Sequence, residues 1–583
     1  MAAARKGSPV LRWGHAKIVE LFGADLRSLA VFRMVLAVLV LGDLVRRVTD
    51  LSTHYADNGI LPRSVLLEEV TNRWWVSLSL MSGEPFFQAL LFGVATLAAL
   101  GLLVGYRTRS MTVVVWVILI SVQWRNPLVL SSADTLLRVL LFWGMFLPLG
   151  AHWSVDRALK ATPPRLSMRF LSFATVGLLL QIALMYWVTA ILKSGEEWRV
   201  DGTAIYYTLS IDQITTQIGA YLYQFPTLLM VLTFATILLE AFGPFLLFSP
   251  ILTGPVRTGA VLAFMGLHFG VWLTLYLGMF PWISALCMVC FLPGWFWDSA
   301  APKLGTVLPK QHGITRTLRH TTSLVHTYWL PLRGRLSVMA ATGRATVAGT
   351  AIHDDEPAGH AKRAAAPSAS AAMETKEHQG APRPAASATA EQELWHRGAA
   401  GSEQVTLRSS LATNLIVLFF LLYVLCWNLM SVSEFRMPQR LVPIAYYLDL
   451  EQSWDMFTPY PPKDDGWYVI PGTLRGGQRV DLMAVTRDDF RVHEGVSWEK
   501  PRDVAGTYKN VQWRQYLYWI REPGNHDQFR QHFGRYICRE WNARHAGAEQ
   551  LRDLQIIYMY EETLPSYQLS TPQKVVLWEH SCS

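Results

Sequence analysis

A single lysine closes a long apolar stretch. The segment runs from Tyr186 through Lys193 into a turn, Ser-Gly-Glu-Glu-Trp198-Arg-Val-Asp-Gly202, that is rich in acidic and aromatic residues. Burial in an apolar pocket disfavours the charged amine, and the pKa of buried lysines falls to ~5–6, which makes them usable bases near neutral pH. We predict that Lys193 is such a base and that Trp198, Tyr206 and Tyr207 are walls of its pocket.

The same lysine has a purely structural interpretation. Lysines at the ends of membrane helices often lay their methylene stems along apolar surface while the ammonium reaches water. Periodicity alone favours this anchoring role, so the residues leave both interpretations of Lys193 open.

Several other ionisable residues lie within or beside apolar runs. His268 stands in Phe264-Met-Gly-Leu-His-Phe-Gly, and Glu240 lies in the preceding apolar run. Ionisable groups inside a membrane span indicate a functional site, and histidine both donates and accepts protons near neutral pH. A neutral histidine bonded across helices is the equal alternative. Arg33 and Asp43 share one helix, and we expect each to pair with another helix as a structural contact.

The stretch from Arg125 to Arg138 is polar where two apolar runs meet. Asp134 and Arg138 are predicted to line the cavity mouth that holds Lys193. Helix capping by Ser132 or Asp134 would also account for these residue types.

Composition assigns the chain to membrane proteins. Of 583 residues, 51% are hydrophobic and only 16% are charged. This balance is far more apolar than that of a soluble protein of this length. Nine apolar runs approach spanning length: 29–45, 86–104, 111–123, 136–149, 170–192, 228–248, 256–276, 279–297 and 411–430. The third and fourth are short, so either could be tilted, re-entrant or merged.

Charge and composition divide the chain further. We predict a polytopic α-helical membrane protein of about nine spans with a C-terminal extracytoplasmic α+β domain. Its parts are a cytoplasmic N-terminus (1–27), a membrane domain (28–298), a basic juxtamembrane segment (299–340), a disordered linker (341–405), a last transmembrane helix (406–430) and the extracytoplasmic domain (431–583). Cys538 and Cys582 both fall in that last domain, where a disulfide is permitted, but the sequence does not show whether they meet.

Several function classes lack support in the sequence. The formal net charge of +8 comes from basic residues beside the apolar runs, which does not indicate nucleic-acid binding. No nucleotide-binding or hydrolase fingerprint stands in a suitable strand–turn–helix context. The cysteines Cys287 and Cys290 lie inside an apolar run, so we expect no metal site there.

Spaced motifs resemble those of a known family. The HTTM (horizontally transferred transmembrane domain) proteins, related to vitamin K-dependent gamma-glutamyl carboxylase, are similar over about residues 28–298. The motifs are Asn58-Gly-Ile-Leu-Pro62, Arg125-Asn-Pro127, His152-Trp-Ser-Val-Asp156, the Lys193–Gly202 segment and Gly278-Met-Phe280. Ser453-Trp-Asp-Met456 resembles a motif that opens the carboxylase's lumenal domain.

The resemblance implies a chemistry. The family's lysine deprotonates a reduced vitamin K, or a menaquinol-like quinol, and O2 and CO2 are co-substrates of glutamate gamma-carboxylation without a metal. Lys193 matches that lysine, and His268 matches a family histidine. Asp134 and the neighbourhood of Arg436 stand where the family has two further histidines. These departures separate this chain from the full carboxylase pattern.

Two function classes therefore follow from the sequence. The first is a carboxylase-like lyase in a bacterial plasma membrane, with Lys193 and His268 as catalytic residues, a quinone cofactor and a protein or peptide substrate on the outer face. The second is a non-catalytic membrane scaffold whose outward domain binds a partner. A transporter is disfavoured because the sequence shows neither an inverted repeat nor paired broken helices.

Loop charges predict the topology. Basic residues flank alternate apolar runs, and by the positive-inside rule these loops and the N-terminus are cytoplasmic. A cysteine placed in the linker 341–405 should resist membrane-impermeant thiol reagents in intact cells, whereas one placed after residue 431 should react. Labelling of the linker cysteine from outside would contradict the nine-span topology.

Overall fold

The structure, a computed structural model, describes residues 9–69, 76–160, 166–304, 407, 409–492, 495–522, 524, 526–565 and 568–582. Within these, the residues of Met1–Lys303 and Thr406–Ser583 form one compact unit. The predicted basic segment 299–340 lies almost wholly, and the predicted linker 341–405 wholly, outside the described residues.

The first part of the chain is helical. Its helices are α1 (Pro9–Phe22), α2 (Leu26–Val48), α3 (Leu51–Tyr55), α4 (Arg63–Glu69), α5 (Pro85–Val104), α6 (Thr108–Arg125), α7 (Ser132–Gly144), α8 (Val155–Ala158), α9 (Phe173–Leu192), α10 (Glu196–Arg199), α11 (Ala204–Leu209), α12 (Gln217–Leu222), α13 (Pro226–Leu247), α14 (Thr253–Thr274), α15 (Phe280–Cys287), α16 (Gly294–Leu304) and α17 (Leu411–Val432). Two short strands, β1 (Ala24–Asp25) and β2 (Arg169–Phe170), pair beside the start of α2.

Six helices in the described part are long and apolar enough to cross a membrane: α2, α5, α9, α13, α14 and α17. The other three apolar runs form α6, the shorter α7, and α15 followed by a 3-10 turn. Local signals explain where the long helices begin. Asp25 and Ser172 cap α2 and α9 with side-chain acceptors, and proline opens α5 and α13.

The C-terminal part combines a sheet with helices. Its helices are α18 (Val442–Leu448), α19 (Val511–Arg521) and α20 (Asp527–Asn542), and its strands are β3 (Asp464–Val469), β4 (Pro471–Leu474), β5 (Arg479–Asp481), β6 (Leu551–Leu564), β7 (Gln568–Leu569) and β8 (Gln573–Ser581). The long strand β6 pairs antiparallel with β3, β4, β7 and β8. A disulfide joins Cys538 on α20 to Cys582.

The C-terminal domain packs on the helical part. Its hydrophobic core includes Ile60, Leu61, Leu128 and Val129 from two connections between membrane helices. On α9, the Thr189 hydroxyl donates to the carbonyl of Trp454 at 3.0 Å. The ends of α2, α6, α9 and α14 all lie against this domain, so these four helix ends share one side of the protein.

Asp50, just beyond α2, anchors the domain electrostatically. Its carboxylate is buried and accepts hydrogen bonds from Lys509 at 2.6 Å, from Asn510 at 2.6 Å and from the Trp513 indole at 3.4 Å. Burial raises the pKa of Asp50, but His54, Lys509 and Asn510 oppose that effect and hold the pKa below its usual value. The contact therefore stabilises the protein at neutral pH and is lost as the pH falls through that lowered pKa.

Replacing this carboxylate tests the anchor. Asp50→Asn should cost about 2 kcal/mol, because a hydrogen-bonded charge pair is lost at a buried position. Asp488 is the matched control, since it binds the same Lys509 at 2.6 Å but is exposed. Asp488→Asn should cost under about 1 kcal/mol. Thermal unfolding of both purified variants in detergent measures the difference, and equal losses would contradict the anchoring role of Asp50.

Candidate functional site

A large cavity lies among membrane helices under the C-terminal domain. Its volume is about 910 Å³, and residues of α9, α13 and α14 form its walls. Residues 455–458 and residues of α19 close it on the side of the domain. Most of the lining side chains are apolar, with a few polar groups among them.

Lys193 caps the C-terminal end of α9 and lines this cavity. Its backbone N–H donates to the Thr189 carbonyl at 3.0 Å, and its side chain is buried. Nζ lies 2.5 Å from Glu240 Oε2 on α13 and 4.4 Å from the centre of the Trp198 ring. The amine is therefore held between a carboxylate and an aromatic face.

The turn after Lys193 is fixed by the segment that follows α17. The Trp198 indole donates to the Phe457 carbonyl at 2.9 Å, and the Gly195 N–H donates to the Pro459 carbonyl at 3.0 Å. Gly202 ends the turn with φ +67, and a Cβ there would lie 2.7 Å from Met230 and Phe234. Glycine is therefore required at this position by both conformation and space.

His268 lines the same cavity from α14. Its Nε2 lies 2.7 Å from the hydroxyl of Tyr186 on α9, and its Nδ1 is buried with no partner among the described residues. The Tyr186 ring stacks near Phe264, with ring centroids 4.2 Å apart. Gly243 on α13 permits this packing, because a Cβ there would come within 2.7 Å of the Phe264 ring.

The structure thus brings Lys193, Glu240, His268 and Trp198 to one cavity. The sequence missed Tyr186 as a partner of His268. A signal was available, since Tyr186 and Lys193 are seven residues apart on one helix and so lie on nearly the same face.

Tyr206 and Tyr207 lie beside the cavity but do not line it. The Tyr206 hydroxyl donates to the Leu564 carbonyl at 2.9 Å. The Lys463 ammonium lies over the Tyr207 ring, with Nζ 4.8 Å from the ring centre. Lys463 also pairs with Glu197 at 2.7 Å. Both tyrosines therefore support the turn around Lys193 from outside, and a direct contact with a ligand stays a prediction.

Asp134 and Arg138 do not line this cavity, although Ser131 and Ser132 beside them do. Asp134 completes a capping box with Ser131, which is the N-cap in place of the expected Ser132 or Asp134, and it also pairs with Arg47. Arg138 binds Asp449 at 3.1 Å. Both side chains are satisfied by buried partners, which explains why neither reaches the cavity that holds Lys193.

Arg33 and Asp43 of α2 have different kinds of partner. Asp43 pairs with Arg47 of its own helix at 2.7 Å. We expected Asp43 to pair with a residue of another helix, and that prediction was wrong. Four-residue spacing places the two side chains on one face, which the sequence interpretation overlooked. Arg33 instead donates to the carbonyls of Leu149 and Trp153 in a neighbouring loop.

A separate acidic cluster joins the two parts of the protein. Single oxygen atoms of Asp212, Asp465 and Glu561 lie within 4.8 Å of one another. The Lys500 ammonium contacts all three carboxylates and acts as their shared cation. Burial raises the pKa of Asp465 to about 6, although Lys500 opposes that effect. The expectation that no metal takes part stays a prediction.

Comparison with known proteins identifies one domain. Residues 23–295 match the HTTM domain, which covers every membrane helix that lines the cavity. The chain carries an HTTM domain. Resemblance to gamma-glutamyl carboxylase is the family context of this match, and the chain is an integral membrane protein. No curated protein and no solved structure matches the chain.

The arrangement permits proton movement between two buried groups. An amine and a carboxylate in contact within an apolar cavity exist either as an ion pair or, after transfer of one proton, as a neutral pair. A ligand that displaces Glu240 from Lys193 changes this balance. The HTTM domain of this chain therefore places an amine and a carboxylate in contact beside an apolar space.

A double-mutant cycle tests whether the pair is charged. Glu240→Gln should destabilise the protein by about 3 kcal/mol, because it leaves a buried ammonium without its counter-ion. The further change Lys193→Met should recover most of that loss, since no unpaired charge remains. Thermal unfolding in detergent gives both values, and a loss below about 1 kcal/mol for Glu240→Gln would contradict a charged pair.

Proposed function

We propose that the HTTM domain of this chain houses a quinol-using, carboxylase-like membrane enzyme with Lys193 as its base. The observation that carries the proposal is that Lys193 and His268 line one apolar cavity. These residues come from α9 and α14, which are far apart in sequence. An anchoring lysine would not require a histidine from another helix in the same cavity.

The cavity suits a ligand of this class. A quinol is largely apolar, with two oxygen atoms that need hydrogen-bonding partners, and the lining is mainly apolar with a few convergent polar groups. Its volume of about 910 Å³ falls in the range of about 300–1,000 Å³ that small-molecule sites occupy. Lys193 and His268 are the residues that would hold the quinol oxygens, with Trp198 as a wall.

The residues have distinct proposed roles. Glu240 first takes the proton of the Lys193 ammonium. The neutral amine of Lys193 then accepts a proton from the quinol hydroxyl. His268 forms a hydrogen bond to the second oxygen. When bound, the quinol with O2 supplies the oxidative chemistry, giving an epoxide and water while CO2 replaces one gamma-hydrogen of a glutamate with release of a proton.

Lining residues that are also exposed at the protein surface support two kinds of ligand. Leu232 on α13 lines the cavity and is also exposed on the surface of the membrane helices, which favours lateral entry of a lipid-soluble quinol. Tyr460 and Tyr518 line the cavity on the domain side and are also exposed. A protein or peptide substrate would approach there, from the outer face.

We propose that the chain crosses the membrane nine times. Helices α6, α7 and α15 would complete the set of six long helices, with the N-terminus cytoplasmic and the C-terminal domain extracytoplasmic, in a bacterial plasma membrane. This count is supported by the C-terminal ends of α2, α6, α9 and α14, which lie on one side of the protein. These helices are the first, third, fifth and seventh of nine crossings, so each must cross in the same direction.

The contact between Lys193 and Glu240 favours the alternative of a non-catalytic scaffold. Lys193 lies 2.5 Å from Glu240. While the two form an ion pair, the ammonium cannot accept a proton. A lysine whose only role is to join α9 to α13 would show the same contact. Turnover measurements separate the two functions.

Substitution of the base is the direct test. Lys193→Ala should abolish quinol-dependent epoxide formation by the purified protein, assayed with and without a glutamate-containing peptide. Lys193→Arg should not restore it, because a guanidinium stays protonated and cannot act as a base. A small amine added to the buffer should partly restore the Ala variant.

Lys574→Ala is the matched control. This lysine lies over the ring of Trp498 on the C-terminal domain, away from the cavity, with its Nζ 4.4 Å from the ring centre. Its removal should leave turnover unchanged. Wild-type turnover by Lys193→Ala would contradict the catalytic role, and absence of turnover in the wild type with several quinols would favour the scaffold.

A further inference from the structure

The hydrogen bond between Tyr186 and His268 restricts where the histidine proton lies. The Tyr186 hydroxyl has one hydrogen and contacts His268 Nε2 at 2.7 Å. Neither the hydroxyl nor His268 Nδ1 has another hydrogen-bond partner among the described residues. Both side chains are buried, so water does not readily satisfy the groups that remain.

The strengths of the donors and acceptors distinguish the two tautomers. If Tyr186 donates to Nε2, the proton of neutral His268 is on Nδ1, and the groups left unpaired are the Nδ1–H and the weakly accepting tyrosine oxygen. If Nε2–H donates to the tyrosine oxygen instead, the groups left unpaired are the tyrosine O–H and the strongly accepting Nδ1 lone pair. The first arrangement joins the stronger donor to the stronger acceptor and leaves only the weaker acceptor unpaired, so it is favoured.

A protonated histidine is less favourable still. An imidazolium would add a positive charge to the cavity that already holds Lys193 and would leave both the Nδ1–H and the tyrosine O–H unpaired. The neutral Nδ1–H form is therefore the most favourable of the three, because its hydrogen bond to Tyr186 uses the best donor and the best acceptor.

We propose that Tyr186 is a positioning residue that fixes His268 as a neutral Nδ1–H donor for an acceptor oxygen of the ligand. Because Nε2 is taken by the tyrosine, Nδ1 is the ring nitrogen left without a partner among the described residues. The ligand must then present an acceptor oxygen to His268, such as that of a carbonyl, an ether or a hydroxyl. This inference rests on the proposed function for the identity of the ligand, but the tautomer does not depend on it.

Packing holds the tyrosine in place. Its ring lies against Phe264, one turn before His268 on α14, and Phe264 in turn fits against Gly243 of α13. The tyrosine hydroxyl thus meets the imidazole through contacts among α9, α13 and α14. A tyrosine fixed in this way selects the tautomer through its hydrogen bond to Nε2.

Nuclear magnetic resonance of the intact protein can read the tautomer directly. The full chain would be labelled with ¹⁵N and ¹³C at its 16 histidines and placed in lipid nanodiscs. The His268→Gln spectrum identifies the His268 signals by difference. In the wild type at neutral pH, Nδ1 should show the shift of a protonated nitrogen and Nε2 that of an unprotonated one.

Tyr186→Phe should move the His268 signals toward the Nε2–H form, because the donor to Nε2 is gone. Tyr423→Phe is the matched control, since it also removes the hydroxyl of a buried tyrosine. Tyr423 lies on α17, and its hydroxyl donates to the Leu441 carbonyl at 3.1 Å. This control should leave the His268 signals unchanged.

Three results would overturn the proposal: an Nε2–H or doubly protonated His268 in the wild type, no shift in Tyr186→Phe, or an equal shift in Tyr423→Phe. If Tyr186→Phe does not fold, the wild-type spectrum alone decides. None of these readouts needs turnover, so the positioning role can hold even where the quinol reaction fails.

Discussion

The burial of the Lys193–Glu240 pair is the constraint on which the rest of the site depends. Moving an ammonium and a carboxylate out of water costs several kcal/mol per ion, and only good geometry and further partners offset that cost. Glu240 supplies the opposite charge from α13, and Trp198 supplies an aromatic face. Loss of the contact between α9 and α13 would leave a charge unpaired in an apolar cavity.

This constraint explains why the C-terminal domain belongs to the site. The turn that carries Trp198 is held by carbonyls of Phe457 and Pro459, which follow α17 and precede the sheet. Phe457 adopts φ 56, a conformation that is costly for a bulky side chain and persists only where surrounding contacts enforce it. Two regions separated by about a hundred intervening residues of chain thus complete one cavity.

The sequence predicted the elements of the site better than their pairings. Apolar runs and the motif around Lys193 indicated the helices, and the resemblance placed Lys193 and His268 together. Asp134 and Arg138 were grouped with them because they also follow a polar connection, yet their partners lie on other elements. Periodicity gives the face that a side chain occupies on its own helix, but not which neighbouring helix meets that face. Glu240 shows the same limit, since only packing reveals its contact with Lys193.

Helix α9 sets the spacing of the two polar pairs. Tyr186 joins it to His268 on α14, and Lys193 joins it to Glu240 on α13. Seven residues at 1.5 Å each separate the two contacts by roughly 10 Å along the helix axis. Because both contacts come from nearly one face, a rotation or shift of α9 would disturb the amine and the imidazole together. The spacing between Tyr186 and Lys193 is therefore a property of one rigid helix, which is the kind of element that positions side chains most accurately.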